Sequence, residues 1–539
     1  MRLNLPSLES PAFVPLRGSV FRGLWLASLV ANLTMWMNDV AAAWVMTSLT
    51  TNPMMVALVQ TASTLPVFLL GLPSGALADI VDRRRYFAVT QLLVSITAVM
   101  LAAMALTNTL TAPLLLTLTL VNGVGLAMRW PVFAAIVPEV VPRDQLAAAM
   151  GLNSISINLS RVLGPLMAGA ILASAGSGAV FVLNALLGIV AIVLILRWRS
   201  EPKTSTLPGE RFVGAMRVGW QHVMQSPRMK VVLLRIFMFF LQATALLALL
   251  PLIARQVHNG GPGTFTLMLA FLGIGAIGAT PYFPSWRRRF DRDQFVLYGT
   301  VIEAITSVVV VLAPEMWIAL PAIAILGVAW ISTVNSLTVA AQVALPNWVR
   351  ARGMAIYMMA LTGGAATGSL LWGQVASLSS LSVAVAAAAI AGPLVLLLTR
   401  RLSVEGGADP DFSPAHGGVI PDTASNIDAD EGPVMVTVEY QIDPNRAPEF
   451  AKIMQQTRRA RLRQGALSWG LFRDTSVPGR YIEYFVDETW IEHLRRLERF
   501  SAADAGLRER RLAFHLGDGP PNVRRYVAEN LNGQSDLPL

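Results

Sequence analysis

Apolar residues fall along this chain in blocks of roughly 20, the length that crosses a ~30 Å hydrocarbon core as an α-helix. Short charged, glycine- or proline-bearing breaks separate them. The blocks predict spans over 21–48, 54–78, 87–107, 113–136, 147–174, 179–197, 230–254, 264–286, 295–313, 316–343, 353–375 and 380–399. Inside a bilayer every backbone polar group must be satisfied within its own segment, so the spans are expected as helices.

Composition agrees. Of 539 residues, 54% are hydrophobic and 14% charged, against about 25% charged in soluble proteins. There is no cysteine, and the five histidines are scattered, so no metal site and no cofactor is expected. The formal charge of +9 would suit nucleic acid only if the basic residues formed one patch. They lie mostly in short loops between spans, which points to topology instead, with binding to anionic lipid headgroups as a secondary reading. The N-terminal apolar stretch runs on past Asp39 with no small-residue cleavage site, so no removable leader is expected.

With a cytoplasmic N-terminus, the inside connections hold Arg83, Arg84, Arg85, Arg143, the basic residues of 197–230, Arg287, Arg288, Arg289, Arg292, Arg350 and Arg352. The outside connections hold Arg255 alone. The positive-inside rule then places both termini in the cytoplasm. Shifting the chain by 204 residues superimposes Gly71 on Gly275, Arg83–Arg85 on Arg287–Arg289, Gly123 on Gly327, Pro142 on Pro346, Gly164 on Gly368 and Gly169 on Gly373. Two related six-helix lobes are expected, with a substrate site between them. Residues 199–228 join them and carry an interfacial amphipathic helix.

The run Gly75-Ala-Leu-Ala-Asp79-Ile-Val-Asp-Arg83-Arg-Arg resembles the loop motif of the major facilitator superfamily, with Asp82 where that pattern has glycine. Ser160-Arg161-Val-Leu-Gly164-Pro165-Leu-Met-Ala-Gly169 resembles the motif of its exporting branch, with Ser160 and Ala168 in place of glycine. Asn122-Gly-Val-Gly-Leu-Ala is similar to the end of another antiporter motif whose arginine is replaced here by Thr119. With Phe21-Arg-Gly-Leu-Trp25, Asn32, Trp36 and Trp44, residues 15 to 400 resemble the transmembrane secretion effector family, which includes enterobactin-exporter-like proteins. That resemblance implies export of small molecules. It gives Gly75, Asp79, Arg83, Gly164 and Pro165 gating roles, and Arg161 or Arg129 the duty of the missing arginine.

An ionisable side chain inside a bilayer is costly and is a functional candidate by default. Asp39 shares a broad face of the first span with Asn32 and Trp36 and is a candidate proton carrier, with Arg161 its natural partner. Glu303, mid-span in the ninth helix, is a second candidate. Arg235 and Arg129 are read as snorkelling near cytoplasmic ends. Asn32, Trp36, Asn158, Gln242, Trp330, Asn335, Thr338 and Tyr357 are candidate cavity-lining residues, with interhelical hydrogen bonding as the alternative.

Residues 403–432 carry seven acidic residues and no lysine or arginine, the composition of a flexible linker. Beyond it the pattern predicts strands over 434–442, 465–473, 480–486 and 523–528 and helices over 446–463 and 490–514, a βαββαβ order that is ferredoxin-like. Glu483-Tyr-Phe-Val486 and Trp490-Ile-Glu-His493-Leu resemble the dimeric barrel domains related to antibiotic-biosynthesis monooxygenases. His493 has no evident partner in sequence, so regulation or self-association is expected of this domain ahead of catalysis.

The expected architecture is an all-α polytopic membrane protein with a C-terminal α+β domain. Its parts are a lobe over 1–198, a linker over 199–228, a lobe over 229–401, an acidic linker over 402–432, a ferredoxin-like domain over 433–528 and a tail over 529–539. The expected function is secondary active efflux of an amphipathic small molecule, drug- or siderophore-like, driven by a proton gradient. No Walker A sequence is present, so ATP is not the expected driver. The rival is a membrane-anchored sensor or monooxygenase-like enzyme acting through the C-terminal domain.

Overall fold

A computed structural model of the chain describes residues 11–142, 145–197, 212–405, 411–413, 415 and 427–529. It divides into two compact units. The first comprises Met1–Phe212, Val231–Ala340 and Ala355–Glu405; the second comprises Val213–Lys230, Ala341–Met354 and Gly406–Leu539.

The first unit holds the apolar helices: α1 (Ser19–Leu49), α2 (Pro53–Ile80), α3 (Arg83–Leu106), α4 (Ala112–Val140) and α5 (Leu146–Arg197), which breaks at Gly176. Past α6 (Phe212–Gln225), which belongs to the second unit, come α7 (Pro227–Leu252), α8 (Pro262–Ala279), α9 (Phe283–Trp286), α10 (Arg292–Leu312), α11 (Met316–Val343), α12 (Arg350–Leu378) and α13 (Leu381–Leu398). Eleven of these helices are long and apolar enough to cross a membrane. Gly176, at φ +78°, divides α5 into two spanning arms, which makes the expected twelve. The span predicted over 264–286 stops at Ala279, because Pro281 and Pro284 cannot continue the hydrogen-bond ladder and disfavour helical geometry just before them.

The internal repeat reappears as paired close approaches. A Cβ at Gly164 (α5) would lie 2.5 Å from Trp36 Cβ on α1, and one at Gly368 (α12) 2.5 Å from the Leu241 carbonyl on α7. These are equivalent contacts inside the two lobes. A Cβ at Gly169 (α5) would overlap Thr266 of α8, and one at Gly373 (α12) would lie 2.5 Å from Ala57 Cβ of α2. These are equivalent contacts between the lobes, so small residues let the helices meet closely where a hydrophobic driving force is absent. One apolar core, including Val45, Met46, Leu115 and Phe181 from the first lobe and Leu249, Phe265, Leu320 and Ile323 from the second, closes the end carrying the α1–α2 and α7–α8 connections.

Beyond α13 the chain stays attached. Asp293, in the first turn of α10, accepts from Ser403 Oγ at 2.5 Å and from the amides of Val404 and Glu405 at 2.8 and 3.2 Å. The acidic linker therefore begins pinned rather than free.

In the second unit, strands β1 (Val434–Gln441), β2 (Ser468–Arg473), β3 (Arg480–Asp487) and β4 (Asn522–Val527) alternate with α14 (Ala447–Arg463), α15 (Trp490–Glu498) and α16 (Ala502–Leu512). The antiparallel sheet has the order β2-β3-β1-β4, as the βαββαβ pattern requires. One face buries Val434, Val436, Val438, Tyr440 and Phe485 against Phe450, Ile453 and Met454 of α14. The inter-lobe helix α6 and the segment Ala341–Met354 fold with this domain rather than standing apart as a linker and a loop. Arg217 of α6 pairs with Glu488 at 2.7 Å, His222 packs edge-on to Trp348, and Arg499 lies over the Trp348 ring at 4.9 Å.

Candidate functional site

In the first lobe, Asn32, Trp36 and Asp39 follow one another at helical spacing along α1. Arg129, on α4, is 3% exposed and donates to the Ala31 carbonyl and Asn32 Oδ1 at 3.3 Å and to Gln91 Oε1 at 3.4 Å. The expectation that it snorkels is therefore corrected: a guanidinium with five donors is satisfied by oxygen acceptors from two helices. Arg161, on α5, stands over the Trp36 ring at 5.6 Å, a cation–π distance. Gly164, one turn on, lets the Trp36 Cβ and the α1 backbone come close. Pro165 beside it is buried in α5.

Asp39 forms no ion pair with Arg161 or with any other described residue, and its Oδ1 is buried without a hydrogen-bond partner. The arginine expected to neutralise it is stacked on Trp36, whose Nε1 is also buried and unpartnered. A small cleft in the same lobe is lined by Thr34, Asn38, Ser95, Asn122 and Asn184 together with Met35, Val94 and Ala98; Asp39 is not among its lining residues.

The second lobe holds the other carboxylate. Glu303, 1% exposed on α10, accepts from Gln242 of α7 and from Ser307 Oγ at 3.0 Å. Gln242 donates as well to the Thr300 carbonyl at 3.2 Å. Trp330 packs edge-on against Phe239 and Phe240. Thr338 and Tyr357 share a hydrogen bond of 3.1 Å between α11 and α12, with Asn335 half-buried one turn before Thr338. Arg235 does not snorkel either: it donates to Thr399 Oγ1 at 2.5 Å and to the carbonyls of Thr399 and Leu402, both at 2.9 Å, closing the C-terminus of α13. At Gly75, Asp79, Arg83 and Asn158 the structure describes the helical backbone alone.

The structure thus brings together Asn32 with Arg129, Trp36 with Arg161 and Gly164, Gln242 with Glu303, and Thr338 with Tyr357. Sequence reasoning missed Gln91 and Ser307; each is a polar residue interrupting an apolar block, which was the available signal.

The C-terminal domain has its own buried charges. His493 does have partners: Asp487 at 2.8 Å, and Arg525, whose Nε donates to His493 Nε2 at 3.2 Å. Burial lowers the His493 pKa. Glu483, fully buried, accepts from Arg461 Nε at 3.0 Å, Trp469 Nε1 at 3.1 Å and Tyr440 OH at 2.9 Å. Burial alone would raise its pKa, but Arg461 and Arg511 outweigh that and hold it at about 2. His222 is pushed down to about 4, first by burial and then by the charge of Arg463.

A family model described as a transmembrane secretion effector matches residues 10–533. This chain belongs to the transmembrane secretion effector family. The match takes in the C-terminal domain as well as the helices. The chain is 22% identical over 262 residues to the staphyloferrin A transporter of Staphylococcus aureus, covering 48% of this chain and 65% of that one. It is 22% identical over 245 residues to macrolide efflux protein A of Streptococcus pyogenes, covering 45% and 60%. The aligned stretch therefore spans less than two thirds of these relatives. Among solved structures, a bacterial homolog of the human lysosomal transporter Spinster, inward-facing and unoccupied, superimposes with a TM-score of 0.54 at 16% identity, over 72% of this chain and 95% of that one. A nucleoside transporter gives 0.57 at 13%, over 71% and 99%. At these identities the likeness establishes the fold of a multi-pass membrane transporter.

Proposed function

We propose that this member of the transmembrane secretion effector family is a secondary active exporter of the bacterial inner membrane, with both termini cytoplasmic. It expels an amphipathic small molecule by alternating access while protons move inward. The observation that carries the reading is a pair of carboxylates, one in each lobe and neither ion-paired among the described residues: Asp39, half-buried with its Oδ1 buried and without a hydrogen-bond partner, and Glu303, 1% exposed. An ionisable side chain inside a bilayer without a cation beside it is costly to keep there and is a functional candidate by default. Asp39 stands within two helical turns of Trp36 and Asn32, so loss of its proton would be felt where an apolar ring and amide could hold a substrate. Glu303, already hydrogen-bonded by Gln242 and Ser307, is the secondary candidate. Asp79 and Arg83 control the cytoplasmic gate in this scheme.

The relatives' names supply two probes, a macrolide and staphyloferrin A. In vesicles with an imposed pH gradient, Asp39→Asn abolishes gradient-driven accumulation while leaving the protein folded; normal accumulation by that variant would sink the coupling scheme. Deleting residues 403–539 tests the rival, an enzyme or sensor acting through the C-terminal domain. Efflux surviving the deletion favours the helices as the working part. Side-chain exposures of 1% and 2% for His493 and Asp487 leave that pair no approach for a substrate, which argues against catalysis there. The open face of the sheet carries Met435, Phe472, Tyr484 and Tyr526, which supports self-association; cross-linking at Phe472 should trap a dimer.

A further inference from the structure

At the end of the bundle that carries the α1–α2, α3–α4, α7–α8, α10–α11 and α12–α13 connections, Arg255 is the sole lysine or arginine in those connections. Placing an arginine on the side that the positive-inside rule leaves bare is unfavourable unless the charge has a use there. Its use is visible. Helix α7, weakened near its end by Pro251, gives way to a π-turn over Ile253–Val257 that projects Arg255 towards the other lobe. Arg255 Nη1 donates to the Thr47 carbonyl at 2.5 Å and to Thr47 Oγ1 at 3.3 Å.

Thr47 lies in the last turn of α1, where the carbonyls have no partner along the helix and the macrodipole is negative. That turn has no basic residue of its own. The Thr47 hydroxyl donates in turn to the Trp44 carbonyl at 2.7 Å, which fixes its oxygen as an acceptor. Helix α1 of the first lobe thus receives its C-terminal charge from the second lobe. Around this bond the lobes meet through Trp44 stacked on Phe265, ring centres 5.9 Å apart, and through Thr266, whose side chain fills the space beside Gly169. Among the described residues no carboxylate pairs with Arg255.

We propose that Arg255 is a gating latch, a charge-to-helix-terminus bond between the lobes that holds this end of the transporter closed and breaks when it opens. The inference rests on transport by alternating access. It uses no residue of the carboxylate scheme, so the two can fail separately.

The chain has no native cysteine, so single-cysteine labelling reads the gate directly. Thr266, 9% exposed, is replaced by cysteine and its modification by a hydrophilic maleimide is timed in nanodiscs, with Met359→Cys at the α2–α12 contact as the second reporter. Arg255→Ala should raise the Thr266→Cys rate about fivefold, the factor matching the ~1 kcal/mol of a charge at a helix terminus. Arg255→Lys should stay within about twofold of the parent, because the cation is retained. The Met359→Cys rate should not rise. Equal Thr266→Cys rates with Arg255 and with alanine would overturn the latch, and so would a parallel rise at both reporters, which would mean general loosening. Transport of the two probes reports separately on the export reading.

Discussion

Replacing Gly164 by alanine offers a test in which two effects of opposite sign compete. Alanine is worth about 1 kcal/mol more than glycine in a helix interior, so propensity alone predicts stabilisation. At Gly164, however, the added Cβ would sit 2.5 Å from Trp36 Cβ and 3.3 Å from the Leu33 carbonyl. That is about 0.9 Å inside the 3.4 Å at which ordinary contact begins. The obstacle is the root of a side chain and a backbone carbonyl, so relief requires α1 and α5 to move apart. Overpacking of this kind costs about 1–3 kcal/mol, and the expected net effect is destabilisation by roughly 1 kcal/mol. Gly151, on the same helix, has nothing within 4 Å of the place a Cβ would take, so Gly151→Ala should stabilise by roughly 1 kcal/mol. Gly368→Ala, facing the Leu241 carbonyl in the equivalent place, should follow Gly164. Thermal unfolding of the three purified variants in one detergent decides the matter. If Gly164→Ala and Gly151→Ala shift the midpoint in the same direction, the close α1–α5 approach is wrong.

Other outcomes follow from the second unit. Glu483→Gln leaves Arg461 and Arg511 around a neutral partner in the domain core, and should cost about 3–5 kcal/mol; hydrogen exchange of the β1 and β3 amides in the full chain would show it, and unchanged protection would refute it. The folded-state pKa of Glu483 lies below its usual 4.5, so its contribution is present above that value and is lost as pH falls towards 2. His222 behaves as a base whose folded pKa is depressed from 6.5 to about 4. Its neutral packing is fully stabilising above pH 6.5 and is eroded as pH falls towards 4, by up to roughly 3 kcal/mol. Protection of the α6 amides, measured relative to their intrinsic exchange rates, should therefore fall between pH 7 and pH 5, and His222→Phe should flatten the dependence; a profile that His222→Phe leaves unchanged would assign it to another group.

The twelve spans were legible because lipid imposes length and hydropathy on each segment separately, so no long-range information was needed. The break near Gly176 was legible for the same reason. The end of α8 was not, since Pro281 and Pro284 sit inside an otherwise apolar block and only the local geometry makes them a stop. The repeat was visible as glycines and arginines 204 residues apart, and its meaning became clear only when Gly164 and Gly368 proved to face equivalent helices. Helical spacing puts Asn32, Trp36 and Asp39 on one face of α1. It could not fix how α5 turns towards that face, and Arg161 met Trp36 instead of Asp39. Arg129 and Arg235 were misread because position along a span says little about which neighbouring carbonyls lie within reach. Folding of α6 and residues 341–354 with the C-terminal domain depends on Trp348, His222 and Arg499 meeting from distant parts of the chain, and no local pattern carries that.

The export scheme stands or falls on proton coupling in vesicles that contain the full chain alone. With a macrolide or staphyloferrin A as probe, an imposed pH gradient should drive uphill movement, and substrate flow should in turn move protons the opposite way. Asp39→Asn should lose the uphill component and retain exchange of labelled for unlabelled probe. Uphill transport by Asp39→Asn equal to that of the parent, or flux indifferent to the pH gradient in the parent, would contradict it.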